Sequence, residues 1–289
     1  MENSKTQKVT IPSLRAMKEA GEKIAALTAY DYPTAKILDD AGIDLILVGD
    51  SLGMVVLGYE NTIPVTMDEM IHHTKPVVRA VKRALVVGDM PYFSFHLTGD
   101  ETVRNAARFL KEAGARAVKI EGASKKRLRL IERLVGAEIP VMGHVGLTPQ
   151  SIHHIGQFKV KGSLEIEARK LIDDAKNLEN AGVFAVVLEC IPREVAGMIT
   201  RTLTVPTIGI GAGPFCDGQI LVFHDLVGFE RGYLPKFVKK YADLQKVISD
   251  AVSGYRADVL GGKFPGDEHS YHLKPEVARA LARKKRVTS

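Results

Sequence analysis

The sequence predicts an α/β fold, a (β/α)8 TIM barrel with one extra helix in front and a short extension behind. Three observations carry this reading: eight short apolar runs, helical stretches between them, and a segment pattern that occurs three times. The repeats are "DDAGIDLILVGD" (39–50), "KEAGARAVKIEG" (111–122) and "ENAGVFAVVLEC" (179–190). Each has a charged helical end, then Ala-Gly, then an apolar strand, then an acid. Gly42, Gly114 and Gly182 stand where a helix C-terminus wants a residue able to adopt positive φ. They are 72 and 68 residues apart, about two βα units each time.

In chain order, residues 1–23 supply a preceding helix that closes one end. The strands are Ile24–Ala29, Leu45–Gly49, Leu85–Gly88, Ala117–Ile120, Val141–Gly143, Ala185–Leu188, Thr207–Ile210 and Ile220–Phe223. They are continuously apolar rather than alternating, as parallel strands covered on both faces are. Helices are expected near 34–41 and 66–83, the second kinked or bounded by Pro76. Gly213 to Ile220 leaves no room for a full seventh crossover helix, and an open doubly wound sheet also fits that gap. Residues 235–262 read as the final helix and 263–289 as an extension, all in a single domain, 1–289.

Composition narrows the function. The 289 residues are 45% hydrophobic and 26% charged, with no membrane-length apolar run and no signal-peptide core in "MENSKTQKVTIPSLRAMKEAG". A cytoplasmic protein without a membrane partner is expected. The two cysteines, Cys190 and Cys216, read as small buried hydrophobes. Residues 274–289 hold six basic side chains against Glu276 alone, +5 of the net +6, so residues 1–273 carry only +1. This reads as a solvated, partly disordered basic tail. An RNA- or partner-contacting arm is the sharper reading, but the body offers no stacking platform or zinc-finger spacing, so no nucleic-acid partner is expected.

A barrel gathers its strand C-termini on one rim. Those ends carry Asp31, Asp50-Ser51, Asp89, Lys119 with Glu121, His144, Glu189, Gly209 to Gly213, and His224-Asp225. Converging carboxylates repel one another unless a cation sits among them, and acids without cysteine suit a hard ion such as Mg²⁺. Other readings stand beside this one. Asp50 and Ser51 also fit a helix cap, Asp89 a turn, and Lys119 with Glu121 an ion pair on one strand face. His144 serves equally as a structural residue or a site residue. Glu189 ends a wholly apolar strand, where lost solvation suits a general base.

Several patterns point nowhere. "GIGAG" (209–213) lacks the third glycine of a dinucleotide fingerprint, since Pro214 follows, and fits close approach of backbone to a ligand. His72-His73 and His153-His154 are adjacent pairs, which on a helix point apart. "GDSLG" (49–53) is not read as a nucleophile elbow, and serine hydrolase chemistry is disfavoured.

Over residues 11–272 the chain resembles the ketopantoate hydroxymethyltransferase family. The resemblance rests on "TAYDYPTAK", "VGDSLGMVVLGYENTIPVT", "GDMPY", "VKIEG", "GHVGLTPQS", "VLECIP", "IGIGAG", "DGQILVFHD" and "PGDEHSYH" in this order. It implies a barrel like those of the phosphoenolpyruvate mutase and isocitrate lyase group. It also implies transfer of a hydroxymethyl group from 5,10-methylenetetrahydrofolate to 3-methyl-2-oxobutanoate, giving ketopantoate in pantothenate and coenzyme A biosynthesis. One Mg²⁺ per subunit and a homodecamer go with it. The residues implied are Asp50, Asp89 and Glu121 at the metal. Asp50, Ser51, Asp89 and Lys119 contact the 2-oxo acid, and Glu189 accepts the proton. A Mg²⁺-dependent carbon–carbon lyase or mutase of the same barrel group, working without folate, is the alternative. The basic extension after His272 is outside the family pattern.

Overall fold

The computed structural model describes residues 7–155, 160–229 and 234–284. Two compact units result, residues 1–241 and residues 242–289. In the first, eight parallel strands close into a ring in sequence order. They are β1 Ile24–Thr28, β2 Leu45–Val48, β3 Leu85–Asp89, β4 Ala117–Glu121, β5 Val141–Gly146, β6 Ala185–Glu189, β7 Thr207–Ile210 and β8 Gly218–Leu221. β1 pairs with β8, Ile24 opposite Gly218, so the open-sheet alternative falls away.

The helices are α1 Ile11–Glu19, α2 Tyr32–Asp40, α3 Leu52–Val55, α4 Met67–Ala80, α5 Gly99–Lys111, α6 Lys125–Gly136, α7 Ile152–Ile155, α8 Glu165–Asn180, α9 Arg193–Thr202 and α10 Phe223–Val227. Local chemistry sets their starts. Asp31, Thr98 and Ser124 cap α2, α5 and α6 with side-chain oxygens, and Thr66 and Glu69 form a reciprocal capping box on α4. α4 runs through Pro76 without a boundary, forgoing one intrahelical bond. No helix lies between β7 and β8, as their spacing requires.

Strand side chains alternate between two cores. One set, including Leu45, Leu47, Leu85, Val87, Ala117, Ala185 and Val187, fills the ring and is joined by Leu14 of α1, which is fully buried. α1 therefore plugs the N-terminal end. The alternate set, including Ile46, Val86, Val118 and Val186, packs against the helices. Each such Leu, Ile or Phe contributes roughly 1.5–3 kcal/mol by leaving water. Ion pairs finish the plugged end, Lys18 to Asp217 at 2.8 Å and Arg83 to Asp44 at 2.6 Å. No described helix is long and apolar enough to cross a membrane.

Two glycines have steric reasons. Gly88, just before Asp89, faces the buried ring of Phe109 on α5, and a Cβ there runs into that ring. Gly146 closes β5 at φ +104, and a Cβ there meets the backbone carbonyl of Glu189.

The second unit contains α11 Leu244–Leu260, a 3-10 turn at Asp267–His269 and α12 Pro275–Lys284. The helix expected over 235–262 starts at Leu244 because Asp243 caps it, accepting from the Lys246 N–H, and it is not the last, since α12 follows. The Phe264 ring stands 5.5 Å from Tyr255 and 5.2 Å from His269. Within the basic tail, residues 275–284 are helical, an order the charge count does not anticipate; residues 285–289 lie outside the described residues.

Gly146→Ala is expected to destabilise the protein by about 2–5 kcal/mol, combining positive-φ strain with overpacking against backbone. Gly136→Ala, which meets nothing within 4 Å, should change stability by less than about 1 kcal/mol. Urea midpoints of the two variants check the contrast.

Candidate active site at the strand C-termini

The alternation that fills the ring continues upward and turns polar. Val87 is followed two residues on by Asp89, Ala117 by Lys119 and then Glu121, Met142 by His144, and Val187 by Glu189. Register sets these side by side: Asp89 opposite Lys119, Glu121 opposite His144, Gly146 opposite Glu189. A charged layer therefore lies directly on the apolar one.

The Lys119 ammonium is 2.8 Å from both oxygens of Asp89 and 3.7 Å from Glu121. Oδ2 of Asp89 also accepts the Asp50 backbone N–H at 3.3 Å. Asp50 itself accepts from Gln150 Nε2 at 2.9 Å, and the Gln150 backbone N–H reaches Glu121 at 3.2 Å. His144 stands between two acids, Nδ1 at 3.6 Å from Glu121 and Nε2 at 3.4 Å from Glu189. Those are ion-pair contacts rather than well-formed hydrogen bonds, since neither nitrogen has a hydrogen-bond partner. Ser51 shares a 2.8 Å hydrogen bond with the buried Tyr30 hydroxyl.

Burial and charge then compete. Burial raises the Asp50 carboxyl well above its usual range and repulsion from Asp89 adds to this, with Lys119 opposing. Asp89 is raised mainly by burial, again against Lys119. Glu121 is lowered: burial opposes its charge, but Lys119 and His144 outweigh it. Burial also works against the His144 imidazolium, yet Glu121 and Glu189 lift it to about 9. Lys119, though buried, is held above the ordinary lysine value by Asp89, Glu121 and Asp50. The layer is short of positive charge, and Asp50 and Asp89 carry the deficit.

That deficit, with an all-oxygen donor set, fits a hard divalent cation. Among the described residues no three His, Cys, Asp or Glu side chains form a ready-made metal cage, and Lys119 engages both oxygens of Asp89. None is needed: Mg²⁺ typically takes one or two carboxylates and completes its shell with water and substrate oxygens.

The layer brings together Asp50, Ser51, Asp89, Lys119, Glu121, His144 and Glu189. Asp50 caps nothing; it is buried and tied to Gln150. Asp31 is an exposed helix cap, accepting from Thr34 N–H. The glycines of 209–213 face the protein's own side chains, Cys216 over Gly209, Phe237 over Gly211 and Arg193 over Gly213, so they serve packing rather than ligand approach. His73 bonds the Tyr30 carbonyl at 2.8 Å while exposed His72 does not join it; the His154 side chain lies outside the described residues. His224 packs near Tyr30, ring centroids 5.6 Å apart. Gln150 and Tyr30 escaped sequence reasoning. Neither ends an apolar run in an acid, the one signal that marked the others.

A closed (β/α)8 ring with buried, interacting acids gathered at its strand C-termini has the architecture of a barrel enzyme. Residues 8–267 match the sequence profile described as ketopantoate hydroxymethyltransferase. A 3-methyl-2-oxobutanoate hydroxymethyltransferase of Syntrophomonas wolfei is 56% identical over 274 residues, 95% of this chain and 99% of that one. The chain belongs to the ketopantoate hydroxymethyltransferase family. Among solved structures, a phosphonopyruvate hydrolase complex with oxalate and Mg²⁺ matches at TM-score 0.61 and 12% identity over 96% of both chains. A 2,3-dimethylmalate lyase of the PEP mutase/isocitrate lyase superfamily matches at TM-score 0.57 and 15% identity, covering 96% of this chain and 98% of that one. These two share the fold.

Cys190 follows Glu189 at φ +49, and its thiol is pushed up to about 12 by burial and by the Glu189 charge. Burial also raises the Cys216 thiol. At pH 8 Cys190 should react with iodoacetamide at least about 10²-fold more slowly than a free thiol, whose value is roughly 8.5, and Cys216, which is fully buried, should also react more slowly. Peptide mass spectrometry of the alkylated protein measures this.

Proposed function

We propose that this acid layer catalyses transfer of a hydroxymethyl group from 5,10-methylenetetrahydrofolate to 3-methyl-2-oxobutanoate. With one water consumed, the products are ketopantoate and tetrahydrofolate. Family membership supports the reaction, and the charge-deficient layer supports the chemistry.

Asp50 and Asp89, with Glu121 beside them, would hold Mg²⁺, which supplies Lewis acidity to the substrate's keto oxygen. Lys119 adds a fixed positive charge where the 2-oxo acid's carboxylate binds, and Ser51, steadied by Tyr30, offers a hydrogen bond. Glu189 takes the proton from C3, the carbon next to the ketone. Water displaces both folate nitrogens from the one-carbon unit, releasing tetrahydrofolate and leaving formaldehyde. The electron pair left on C3 adds to that carbon, and the alkoxide formed takes back the proton from Glu189 to become the hydroxymethyl group.

The observation favouring Glu189 as the base is its access. Its side chain is 16% exposed, against 2% for Asp89 and 4% for Glu121, so of these three it is the one open to an incoming substrate. His144 at 3.4 Å orients it and stabilises its negative charge. The homo-oligomeric assembly and cytoplasmic setting expected of the family belong to this same reading.

Ketopantoate formation should need Mg²⁺ and stop with EDTA. Absence of product from folded, Mg²⁺-loaded protein would overturn the transferase reading in favour of a folate-independent lyase. Glu189→Gln should lower turnover by about 10²–10⁴-fold. Its Mg²⁺-dependent binding of 3-methyl-2-oxobutanoate, followed by calorimetry, should persist; lost binding with an intact fold would make Glu189 a ligand instead.

A further inference from the structure

We propose that Gln150 is a positioning residue, the side chain that sets the Asp50 carboxylate for a hard cation. The proposal rests on the reading of Asp50 as a metal ligand. Gln150 lies in the 3-10 turn Pro149–Ser151 after β5 and is 5% exposed. Its Nε2 donates to Asp50 Oδ2 and to the Met90 carbonyl, both at 2.9 Å. Its backbone N–H donates to Glu121 at 3.2 Å. One residue thus ties together the ends of β2, β3 and β4.

Both partners of Nε2 are acceptors, so the amide has one workable orientation; turned over, its oxygen would face two oxygens. Oε1 is buried with no hydrogen-bond partner, an acceptor held ready for a donor from outside the chain, such as an ordered water. The choice of a neutral donor matters. A lysine or arginine here would neutralise Asp50 and compete with a cation, while a carboxylate would add to the repulsion Asp50 already bears from Asp89. The amide fixes one oxygen of Asp50 without cancelling its charge, the role expected of an outer partner of a metal ligand.

The test uses the full chain and Mn²⁺ as probe. Free Mn²⁺ is followed by electron paramagnetic resonance without substrate, for wild type and Gln150→Met, with circular dichroism to check folding. The substitution keeps the backbone N–H to Glu121 and removes only the amide. Mn²⁺ binding should weaken about 10–100-fold. Turnover should fall at limiting Mg²⁺ and recover largely in excess, a rescue that a packing defect would not show. Mn²⁺ affinity within twofold of wild type, or lost turnover that excess Mg²⁺ does not restore, overturns the proposal while leaving the metal reading standing. Wild type that binds no Mn²⁺ overturns the metal reading and the proposal with it. Should Gln150→Met not fold, Gln150→Ala is judged by the same two measurements.

Discussion

A buried ammonium governs this molecule. Lys119 projects into the ring one step above Ala117, and a lone charge at that depth would cost several kcal/mol in lost hydration. Asp89, with both oxygens at 2.8 Å, makes it tenable. The dependence runs both ways, since Asp89, Asp50 and Glu121 could not stay ionised together without it. Even so, Lys119 and His144 leave Asp50 and Asp89 raised, and that shortfall is what gives the layer an appetite for further positive charge.

The backbone achieves this arrangement with little beyond strand periodicity. Every second residue of β3 to β6 points inward, so one residue type change per strand converts hydrocarbon to charge in a single step. Small residues make room where neighbours crowd: Gly88 admits Phe109 beneath the position that presents Asp89, and Gly146 lets β5 pass the Glu189 carbonyl. Substitutions there reach the site through geometry alone.

Most of the fold was legible because parallel strands buried on both faces are unbroken apolar runs. The exceptions are instructive. β5 continues to Gly146, past the end expected at Gly143, and Leu178 and the Glu189 backbone leave space only for glycine at those two positions. β8 begins at Gly218 rather than Ile220, since Gly218 pairs with both Ile24 and Ile208, and Phe223 opens α10 instead of ending the strand. The acids and Lys119 were legible because each interrupts hydrocarbon. His144 stayed undecided until the structure set Glu121 and Glu189 on either side of it. Gln150 carries no such mark, as a neutral amide in a loop becomes informative only when its partners, 100 and 29 residues away in sequence, are brought to it.

The apolar side chains that fill the ring, with Leu14 of α1 packed beneath them, make it a vessel with a floor. A tube could admit one reactant from below and another from above, but a floored vessel has a single mouth. Anything that settles on the deep acids must enter and leave by that mouth. A small keto acid seated first would lie beneath a bulkier partner arriving second, and departure would run in reverse. The order of traffic in such a barrel is written by its floor as much as by its rim.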